Sequence, residues 1–374
     1  MKENQETQAT VNEDEKKKNK RLAFFLIIIA VIAMLSLVIT AVGILYVKKN
    51  FNYRYNNISK TPEELGVEEV LDDEIINIAL FGVDTREEGS FQGRSDSIMI
   101  LSINKTDKKI KLISVLRDTL VPMLDSNEIV YNKINSAYAS GGPEIAIKTL
   151  NRVFALDITE YATVNFSGMA NIIDGVGGVN VNLTADEIVH VNYTVKEQVE
   201  KYGGEKQDYI IESAGIHSLN GIQAVAYSRI RYSANANGMR DDYGRTDRQR
   251  YVLQQLFNKA LTMEKTQYIK LVKALSPYCE TSLSYTEIIS LAVEVLLGKP
   301  TFEESRVPFT EYTMKSPNLG IGSTVYYDLE FAANIIHAFI YEDIKPEAYI
   351  EANGISQNDW YTNGYERPKI KKGN

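Results

Sequence analysis

The sequence predicts a mixed α/β (α+β) domain in which a central mixed sheet is sandwiched between helices. Short apolar runs of β type open the globular part, and amphipathic helical patterns alternate with further strand patterns after them. The chain has 374 residues and 44% apolar content, enough to fill the core of one large domain or two small ones. No internal repeat is visible.

Three strands are expected where the globular part begins. Residues 75–83, 97–103 and 109–116 are rich in Ile, Leu and Val, and turn residues separate the second run from the third. If the first two strands pair as a hairpin, Asp84 at the end of one and Asp96 at the start of the next lie at the same end of the sheet.

The later elements alternate between helix and strand. Strands are expected over residues 162–166, 177–183 and 301–308, and helices over 143–156, 169–173, 217–231, 244–263 and 329–340, with two more helices between 268 and 297. The polar segment 184–213 has no strong periodicity and is expected to run over the surface.

Residues 22–47 form a continuous hydrophobic run without a charged side chain. At about 1.5 Å per residue, a helix of this length crosses a hydrocarbon core of ~30 Å, so an uncleaved transmembrane anchor is expected. Basic residues at 16–18, 20 and 21 favour a cytoplasmic N-terminus and place the large C-terminal part outside the cell. A buried core helix is the alternative interpretation.

The predicted organisation has six segments. They are a disordered cytoplasmic tail (1–21), the transmembrane helix (22–47), an extracellular stalk (48–74), the main domain (75–264), a helical extension packed on that domain (265–345) and a polar tail (346–374).

Composition excludes several classes of function. A net charge of −8 argues against a general nucleic-acid binder, so a cluster of arginines in this background indicates a local site. Cys279 is the only cysteine, which excludes an internal disulfide and a cysteine-rich zinc site. The three histidines are scattered and give little support to a histidine metal site or a Ser-His-Asp triad.

Two groups of charged residues are candidates for chemistry. The first group lies at predicted strand ends and comprises Asp84, Arg94, Asp96, Arg117 and Asp118. The second group extends from the end of one predicted helix to the first turn of the next and comprises Arg229, Arg231, Arg240, Arg245 and Arg248. Arginine binds phosphate oxygens in a bidentate fork, and magnesium takes one or two carboxylates plus substrate phosphates. The residues therefore indicate a site for a divalent cation and the phosphates it bridges. The alternative is that Arg229 and Arg231 form only surface ion pairs.

An ordered set of motifs supports the first interpretation. The segments FGVDTR, GRSD, LRDT, KINSAYASGG, DGVGGVNV, LNGIQAVAYSRIR and GRTDRQ follow a single apolar segment in this order. The set, spread over residues 75–263, resembles the LytR-CpsA-Psr family of cell-wall enzymes. The resemblance implies an α/β/α domain with an apolar tunnel for a prenyl chain, on the outer face of a Gram-positive cell membrane.

The resemblance also implies the reaction and the residues that carry it. A glycopolymer of the wall teichoic acid or capsular polysaccharide type would move from a polyprenyl-pyrophosphate carrier to a hydroxyl of peptidoglycan, releasing polyprenyl phosphate. By motif, Asp84 and Asp96 would bind magnesium, with manganese as the other ion. The pyrophosphate would be held by Arg94, Arg117, Arg229, Arg231, Arg245 and Gln249. The expected catalytic residues are Arg94, Arg117, Asp118, Arg229 and Arg231.

Some assignments stay open on the sequence. Asp118 or Asp242 could orient or deprotonate the attacking hydroxyl, although a salt bridge to arginine is the favoured role for either. Leu116 stands where the family usually has a proline, and the span SANANGMRDDY is longer than usual, which leaves the roles of Arg240 and Asp242 open. Two other functions remain possible: binding of a lipid-linked polymer without turnover, as a regulator of the envelope, and hydrolysis of the pyrophosphate.

Overall fold

The structure, a computed structural model, describes residues 54–59, 61–85, 89–125, 128–202, 209–263, 276–308, 313 and 316–353. The predicted transmembrane helix at 22–47 lies outside these ranges. Within them, no helix is both long enough and apolar enough to cross a membrane.

The described residues form strands and helices that alternate along the chain. The strands are β1 (Arg54–Tyr55), β2 (Ile75–Val83), β3 (Ser95–Asn104), β4 (Lys109–Val115), β5 (Leu120–Asp125), β6 (Glu128–Lys133), β7 (Glu160–Asn165), β8 (Val179–Leu183), β9 (Gly215–Leu219), β10 (Cys279–Thr281) and β11 (Thr301–Val307). The helices are α1 (Asn135–Phe154), α2 (Phe166–Gly175), α3 (Ala185–Tyr202), α4 (Gly221–Ser228), α5 (Asp241–Thr262), α6 (Tyr285–Gly298), α7 (Leu329–Tyr341) and α8 (Pro346–Ala352).

A seven-stranded mixed sheet organises the fold, with strand order β1-β10-β7-β2-β3-β4-β11. Strands β2, β3 and β4 form an antiparallel meander, whereas β7 is parallel to β2 and β11 is parallel to β4. The prediction of three strands over 75–83, 97–103 and 109–116 is confirmed. The segment after residue 264 contributes β10 and β11 to this sheet, and β11 is the edge strand predicted for 301–308.

Helices cover both faces of the sheet, as predicted. On β2, Ala79 and Phe81 belong to an apolar cluster that includes residues of α1 and α7. Ile78 and Leu80, which alternate with them, pack in a second cluster with Phe257 of α5 and residues of α6. This alternation follows from the two-residue repeat of a strand, because each successive side chain points to the opposite face. The mixed α/β fold with a central sheet between helices is therefore confirmed.

The predicted stalk also contributes to the core. Ile58, Leu65 and Val67 are buried in the same cluster as Phe81, and β1 pairs with β10 at the edge of the sheet. The described residues from 54 to 67 are therefore packed with the folded domain.

The prediction of an irregular surface segment at 184–213 is wrong, because 185–202 form α3. Ile188, Val191 and Val195 are buried together with residues of α2, α4 and α5. Thr184 and Glu187 cap the helix reciprocally: the Glu187 amide donates to Thr184 Oγ1 at 3.2 Å, and the Thr184 amide donates to Glu187 Oε2 at 3.0 Å. This capping box was present in the sequence as TADE, but the polar residues around it masked the helical period.

The helix predicted for 217–231 is also wrong in its first part. Residues 215–219 form β9, which pairs with β8, and α4 begins only after Asn220. The Asn220 side chain accepts from the Gln223 amide at 3.0 Å, and the Gln223 side chain accepts in return from the Asn220 amide. A residue that caps a helix in this way marks its start. The helix is short as a result, and residues 229–231 leave it as an irregular segment.

A buried lysine ties β4 to the end of α7. Lys111 is 3% exposed, and its Nζ donates to the carbonyl oxygens of Phe339 at 2.5 Å and Ile340 at 3.3 Å. The same Nζ lies 2.8 Å from a carboxylate oxygen of Asp343. The last carbonyls of a helix lack intrahelical donors and carry partial negative charge. The ammonium group of Lys111 donates hydrogen bonds to these carbonyls, and its positive charge is favourable beside them.

We expect Lys111→Met to lower the free energy of unfolding by about 1–3 kcal/mol, because the helix carbonyls lose their donor while the aliphatic stem is kept. Chemical denaturation monitored by circular dichroism measures this. Lys105→Met, in the turn between β3 and β4, is the control and should shift the value by less than about 0.5 kcal/mol. Equal stability of the two variants would contradict the role given to Lys111.

Candidate functional site

A cavity of about 660 Å³ opens where β2 ends and β3 begins, and we call it the arginine cavity. Its lining comes from β2, β3, the start of α2, the helix α3, the segment after α4, and α5. The lining residues are Gly82, Asp84, Asp96, Ser97, Phe166, Val189, His190, Tyr193, Thr194, Arg229, Ile230, Arg231, Tyr232, Arg245 and Gln249.

A β-bulge places the two carboxylates at this cavity. Gly82 pairs with Ser97 and Val83 pairs with Ser95, so Asp96 has no partner on the facing strand. A bulge of this kind re-aims the side chain of the extra residue and is common beside functional sites. A Cβ on Gly82 would lie 2.9 Å from Ser97 Cβ, so glycine permits the close approach of the two strands. Asp84 and Asp96 consequently line one cavity.

Arg117 holds one of these carboxylates from the turn after β4. Its Nη1 lies 2.6 Å from Asp96 Oδ2, and its Nε lies 3.8 Å from Asp242 Oδ2. Burial lowers the pKa of Arg117, but the carboxylates of Asp96, Asp242 and Asp118 outweigh it and leave the pKa raised. The guanidinium is therefore a fixed positive charge behind Asp96, and Arg117 itself is not one of the cavity-lining residues.

Asp242 is the common partner of the arginines. Its Oδ2 accepts from Arg245 Nη2 at 2.9 Å, and its Oδ1 lies 3.7 Å from Arg231 Nε. Arg245 also donates to the backbone oxygen of Asp96 at 3.1 Å, which joins α5 to β3. Burial first, and then repulsion from Arg117 and Arg231, lower the pKa of Arg245 to about 10, so it stays cationic at neutral pH.

Arg229 is positioned by stacking. Its guanidinium carbon lies 4.6 Å from the centroid of the Phe166 ring, a cation–π contact at the start of α2. A guanidinium in such a contact can still donate its N–H groups to phosphate oxygens. Arg229 and Arg231 both line the cavity, so the structure brings together the arginine pair that the sequence left open between a site and surface ion pairs.

Besides Arg117, two more of the predicted residues lie outside the lining. Arg94 is exposed in the connection to β3 and is not one of the cavity-lining residues. Asp118 also lies outside the lining, with its Oδ1 2.8 Å from Lys133 Nζ and its Oδ2 3.7 Å from Arg117 Nε. Arg240, whose role the sequence left open, is exposed at the N-cap of α5 and outside the lining.

Several lining residues were missed by the sequence interpretation. Val189, His190, Tyr193 and Thr194 come from α3, in the segment that was predicted to be irregular. Val189 and Tyr193 lie one helical turn apart and are 67% and 62% exposed, so this wall offers an apolar surface beside the charged one. The signal that could have found α3 was the capping box at Thr184.

A buried ion pair fixes the wall of the cavity. Arg248 Nε lies 2.8 Å from Glu187 Oε1, and the two side chains are 0% and 1% exposed. Arg248 also donates to the carbonyl oxygens of Ile230 at 3.2 Å and Ser233 at 2.9 Å. One guanidinium thus joins α3, α5 and the segment that carries Arg229 and Arg231. Arg248 is a structural residue, although the sequence grouped it with the phosphate-binding candidates.

The cavity contains oxygen ligands suited to a hard cation. Asp84 and Asp96 contribute carboxylates, and Gln249 Oε1 is buried without a hydrogen-bond donor in the described part of the chain. No group of three or more His, Cys, Asp or Glu side chains gathers among the residues that the structure describes. Two carboxylates and an amide oxygen match magnesium, which usually completes its shell with substrate phosphates and water.

Comparison with known proteins identifies the family. The profile described as "LytR_cpsA_psr family" matches residues 42–333, and the chain therefore belongs to this family. Biofilm regulatory protein A of Streptococcus mutans is 30% identical over 312 residues, covering 80% of this chain and 70% of that protein. The polyisoprenyl-teichoic acid–peptidoglycan teichoic acid transferase TagU of Enterococcus faecalis is 30% identical over 282 residues, covering 74% of this chain and 84% of its own length.

Solved structures share the fold. Protein gbs0355 of Streptococcus agalactiae aligns with a TM-score of 0.58 and 26% identity, covering 80% of this chain and 99% of its own. The family protein YwtF (TagT) of Bacillus subtilis, solved with octaprenyl pyrophosphate lipid, aligns with a TM-score of 0.54 and 19% identity, covering 77% and 99% of the two chains.

We expect Glu187→Ala to destabilise the protein by about 3–5 kcal/mol, because Arg248 would be left as a buried charge without its carboxylate. Asp186→Ala removes the neighbouring exposed carboxylate in the same first helical turn and is the matched control. Chemical denaturation of the two variants measures the difference. Similar midpoints for both would show that the buried pair is not needed to hold the cavity wall.

Proposed function

We propose that the protein is a phosphotransferase that moves a glycopolymer from a polyprenyl-pyrophosphate carrier to a hydroxyl of peptidoglycan. The observation that carries the proposal is the composition of the arginine cavity, where Asp84, Asp96, Arg229, Arg231 and Arg245 meet beside an apolar wall. The name of the E. faecalis relative, a teichoic acid transferase acting between a polyisoprenyl donor and peptidoglycan, supports the same reaction.

The charge arrangement favours a polyanion. Arg229 and Arg231 reach the cavity from one segment and Arg245 from α5, while Arg117 supports them through Asp96. Burial lowers the pKa of Arg245, and repulsion from Arg117 and Arg231 lowers it further. A bound diphosphate would relieve that repulsion. Val189 and Tyr193 would contact the first isoprene units of the carrier, next to the diphosphate.

The proposed reaction is an in-line displacement at phosphorus. The oxygen of the acceptor hydroxyl forms a bond to the phosphorus that bears the glycan, and the bond from that phosphorus to the bridging oxygen breaks. Polyprenyl phosphate leaves with the electron pair, and the hydroxyl proton passes to a carboxylate or to water. Arg229, Arg231 and Arg245 stabilise the negative charge that develops on the phosphate oxygens, which is the main contribution a protein makes to this chemistry.

Asp84 and Asp96, together with Gln249 Oε1, would hold magnesium, or manganese in its place. When bound, the ion supplies charge neutralisation to the two phosphates. The carboxylates then serve to position the diphosphate, and Arg117 keeps Asp96 oriented through their 2.6 Å contact. Arg94, exposed at the entrance to β3, completes the set proposed from the family motif.

The two aspartates considered as proton acceptors are both engaged by cations. Asp242 contacts Arg231 through Oδ1 and Arg245 through Oδ2. Asp118 likewise contacts Lys133 through Oδ1 and Arg117 through Oδ2. These contacts support the role of salt-bridge partner for both aspartates.

We place the protein at the cell membrane of a Gram-positive bacterium, anchored by residues 22–47 with the catalytic domain outside. The partners are then the membrane, the lipid-linked glycopolymer and peptidoglycan, with no nucleic acid. A regulatory protein that binds the same lipid without turnover is the second candidate, favoured by the name of the S. mutans relative. Its distinguishing result is tight binding of the lipid with no product, whereas a pyrophosphate hydrolase yields free polymer.

We expect Arg229→Ala to reduce the release of polyprenyl phosphate from a lipid-linked donor by about 100-fold or more, because a charge-stabilising donor is lost in a partly dehydrated site. Arg117→Ala should reduce it comparably by freeing Asp96. Arg240→Ala is the control, since this exposed arginine lies nearby but does not line the cavity. Turnover that is unchanged in Arg229→Ala would refute the pyrophosphate-binding role of the arginines.

We expect removal of divalent ions by EDTA to abolish turnover, and added magnesium to restore it. Asp84→Asn should raise the magnesium concentration needed for half-maximal rate by about tenfold or more, since the ion loses one of two carboxylates. Asp186→Asn, which alters an exposed carboxylate on α3, should leave the requirement unchanged. Full activity in EDTA would exclude the metal from the proposal.

A further inference from the structure

A second cleft, of about 970 Å³, lies across α5 from the arginine cavity. Arg245 and Gln249 line the cavity, whereas Asp247, Arg250 and Tyr251 line this cleft. With about 3.6 residues per turn, the two sets fall on opposite faces of the helix. Because β11 forms the facing wall, we call it the α5–β11 cleft.

One wall of the cleft is a polar network. Asp247 Oδ1 accepts from Arg250 Nη2 and, at 3.1 Å, from Arg306 Nη1, while its Oδ2 accepts from Asn235 Nδ2 at 3.1 Å. Arg250 Nε faces Glu304 at 3.6 Å. The network joins α5, β11 and the segment before α5, so the wall is held by contacts from three directions.

Arg250 has N–H donors in this wall that no described residue accepts. The residue is 5% exposed, and its Nε and Nη1 are buried without a hydrogen-bond acceptor in the described part of the chain. A buried donor without an acceptor is unfavourable, and such groups in a cleft are candidates for binding an oxygen of a ligand.

The charges of the cleft balance. Its cationic lining residues are Arg248, Arg250, Arg306 and Lys345, and its anionic ones are Glu303, Glu304, Glu347 and Asp247. A polyanion would gain little here, in contrast to the arginine cavity. The remaining lining includes the amides of Asn182 and Asn237 and the aromatic rings of Tyr251 and Phe302. Amides and paired charges bind hydroxyl and acetamido groups, and aromatic rings pack against the apolar faces of sugar rings.

We propose that the α5–β11 cleft binds a neutral glycan chain rich in N-acetyl groups. Its assignment as the binding site of the acceptor strand rests on the proposed function, but its affinity for a neutral glycan does not. The segment between α4 and α5 connects the two sites, because Arg229 and Arg231 face the cavity and Asn235 and Asn237 face the cleft. A strand held in the cleft is thereby kept beside the phosphate-binding residues.

Two exposed asparagines on β8 provide a matched test. Asn182 lines the cleft, whereas Asn180, two residues earlier on the same face of the strand, does not. Binding of tetra-N-acetylchitotetraose to the full-length protein in detergent is measured by isothermal titration calorimetry. We expect Asn182→Trp to weaken binding by about tenfold or more by filling part of the cleft, and Asn180→Trp to leave it unchanged. Asn237→Trp fills the cleft from a different segment, and it should weaken binding in the same way. This variant replaces Asn182→Trp in the test if Asn182→Trp fails to fold.

Three results would overturn the proposal: no binding of the tetrasaccharide to the unaltered protein, equal binding by the Asn180 and Asn182 variants when both are folded, or tighter binding of an anionic galacturonate tetramer. The measurement is independent of turnover. If Arg229→Ala leaves donor turnover intact while the cleft variant loses the sugar, the proposed reaction fails and the glycan site stands. The reverse pair of results removes the glycan site alone.

Discussion

The structure depends on one buried guanidinium. Arg248 is held by Glu187 of α3 and by the carbonyl oxygens of Ile230 and Ser233, so a single side chain of α5 fixes both neighbours of that helix. Water is excluded from the pair, which makes each contact stronger and the loss of any partner more damaging. The segment that carries Arg229 and Arg231 has little regular structure of its own, and its shape is set largely by this residue.

The charges of the candidate site residues are balanced by ion pairs within the site. Asp242 lies among Arg117, Arg231 and Arg245, and Asp96 lies against Arg117, so cations that would repel each other share carboxylates. This arrangement holds the guanidinium groups in place before any ligand is bound, which reduces the reorganisation that binding requires. The α5–β11 cleft, on the other side of the same helix, is lined by equal numbers of cationic and anionic residues and so differs in charge from the arginine cavity.

The sequence predicted the parts of the fold that local patterns encode. The strands β2, β3 and β4 are rich in Ile, Leu and Val, and the hairpin of β2 and β3 brings Asp84 and Asp96 to one end of the sheet. The helix α3 was missed because its buried apolar residues, Ile188, Val191 and Val195, are few and lie among many polar residues. The helical period of the segment is therefore weak in the sequence. The role of Arg248 could not be predicted, since its partner Glu187 lies 61 residues away and the pairing exists only in the tertiary structure.

The bulge at Asp96 has an evolutionary consequence. Asp84 follows the last paired residue of β2, and Asp96 is the extra residue between two paired residues of β3. The pairing of the two strands therefore brings both aspartates to one end of the sheet, whatever the length of the connection that joins them. Insertions and deletions can accumulate in that connection among relatives while the two carboxylates keep their places. Sequence spacing between the aspartates is therefore a poor guide for aligning distant members, and the register of the two strands is the feature to compare.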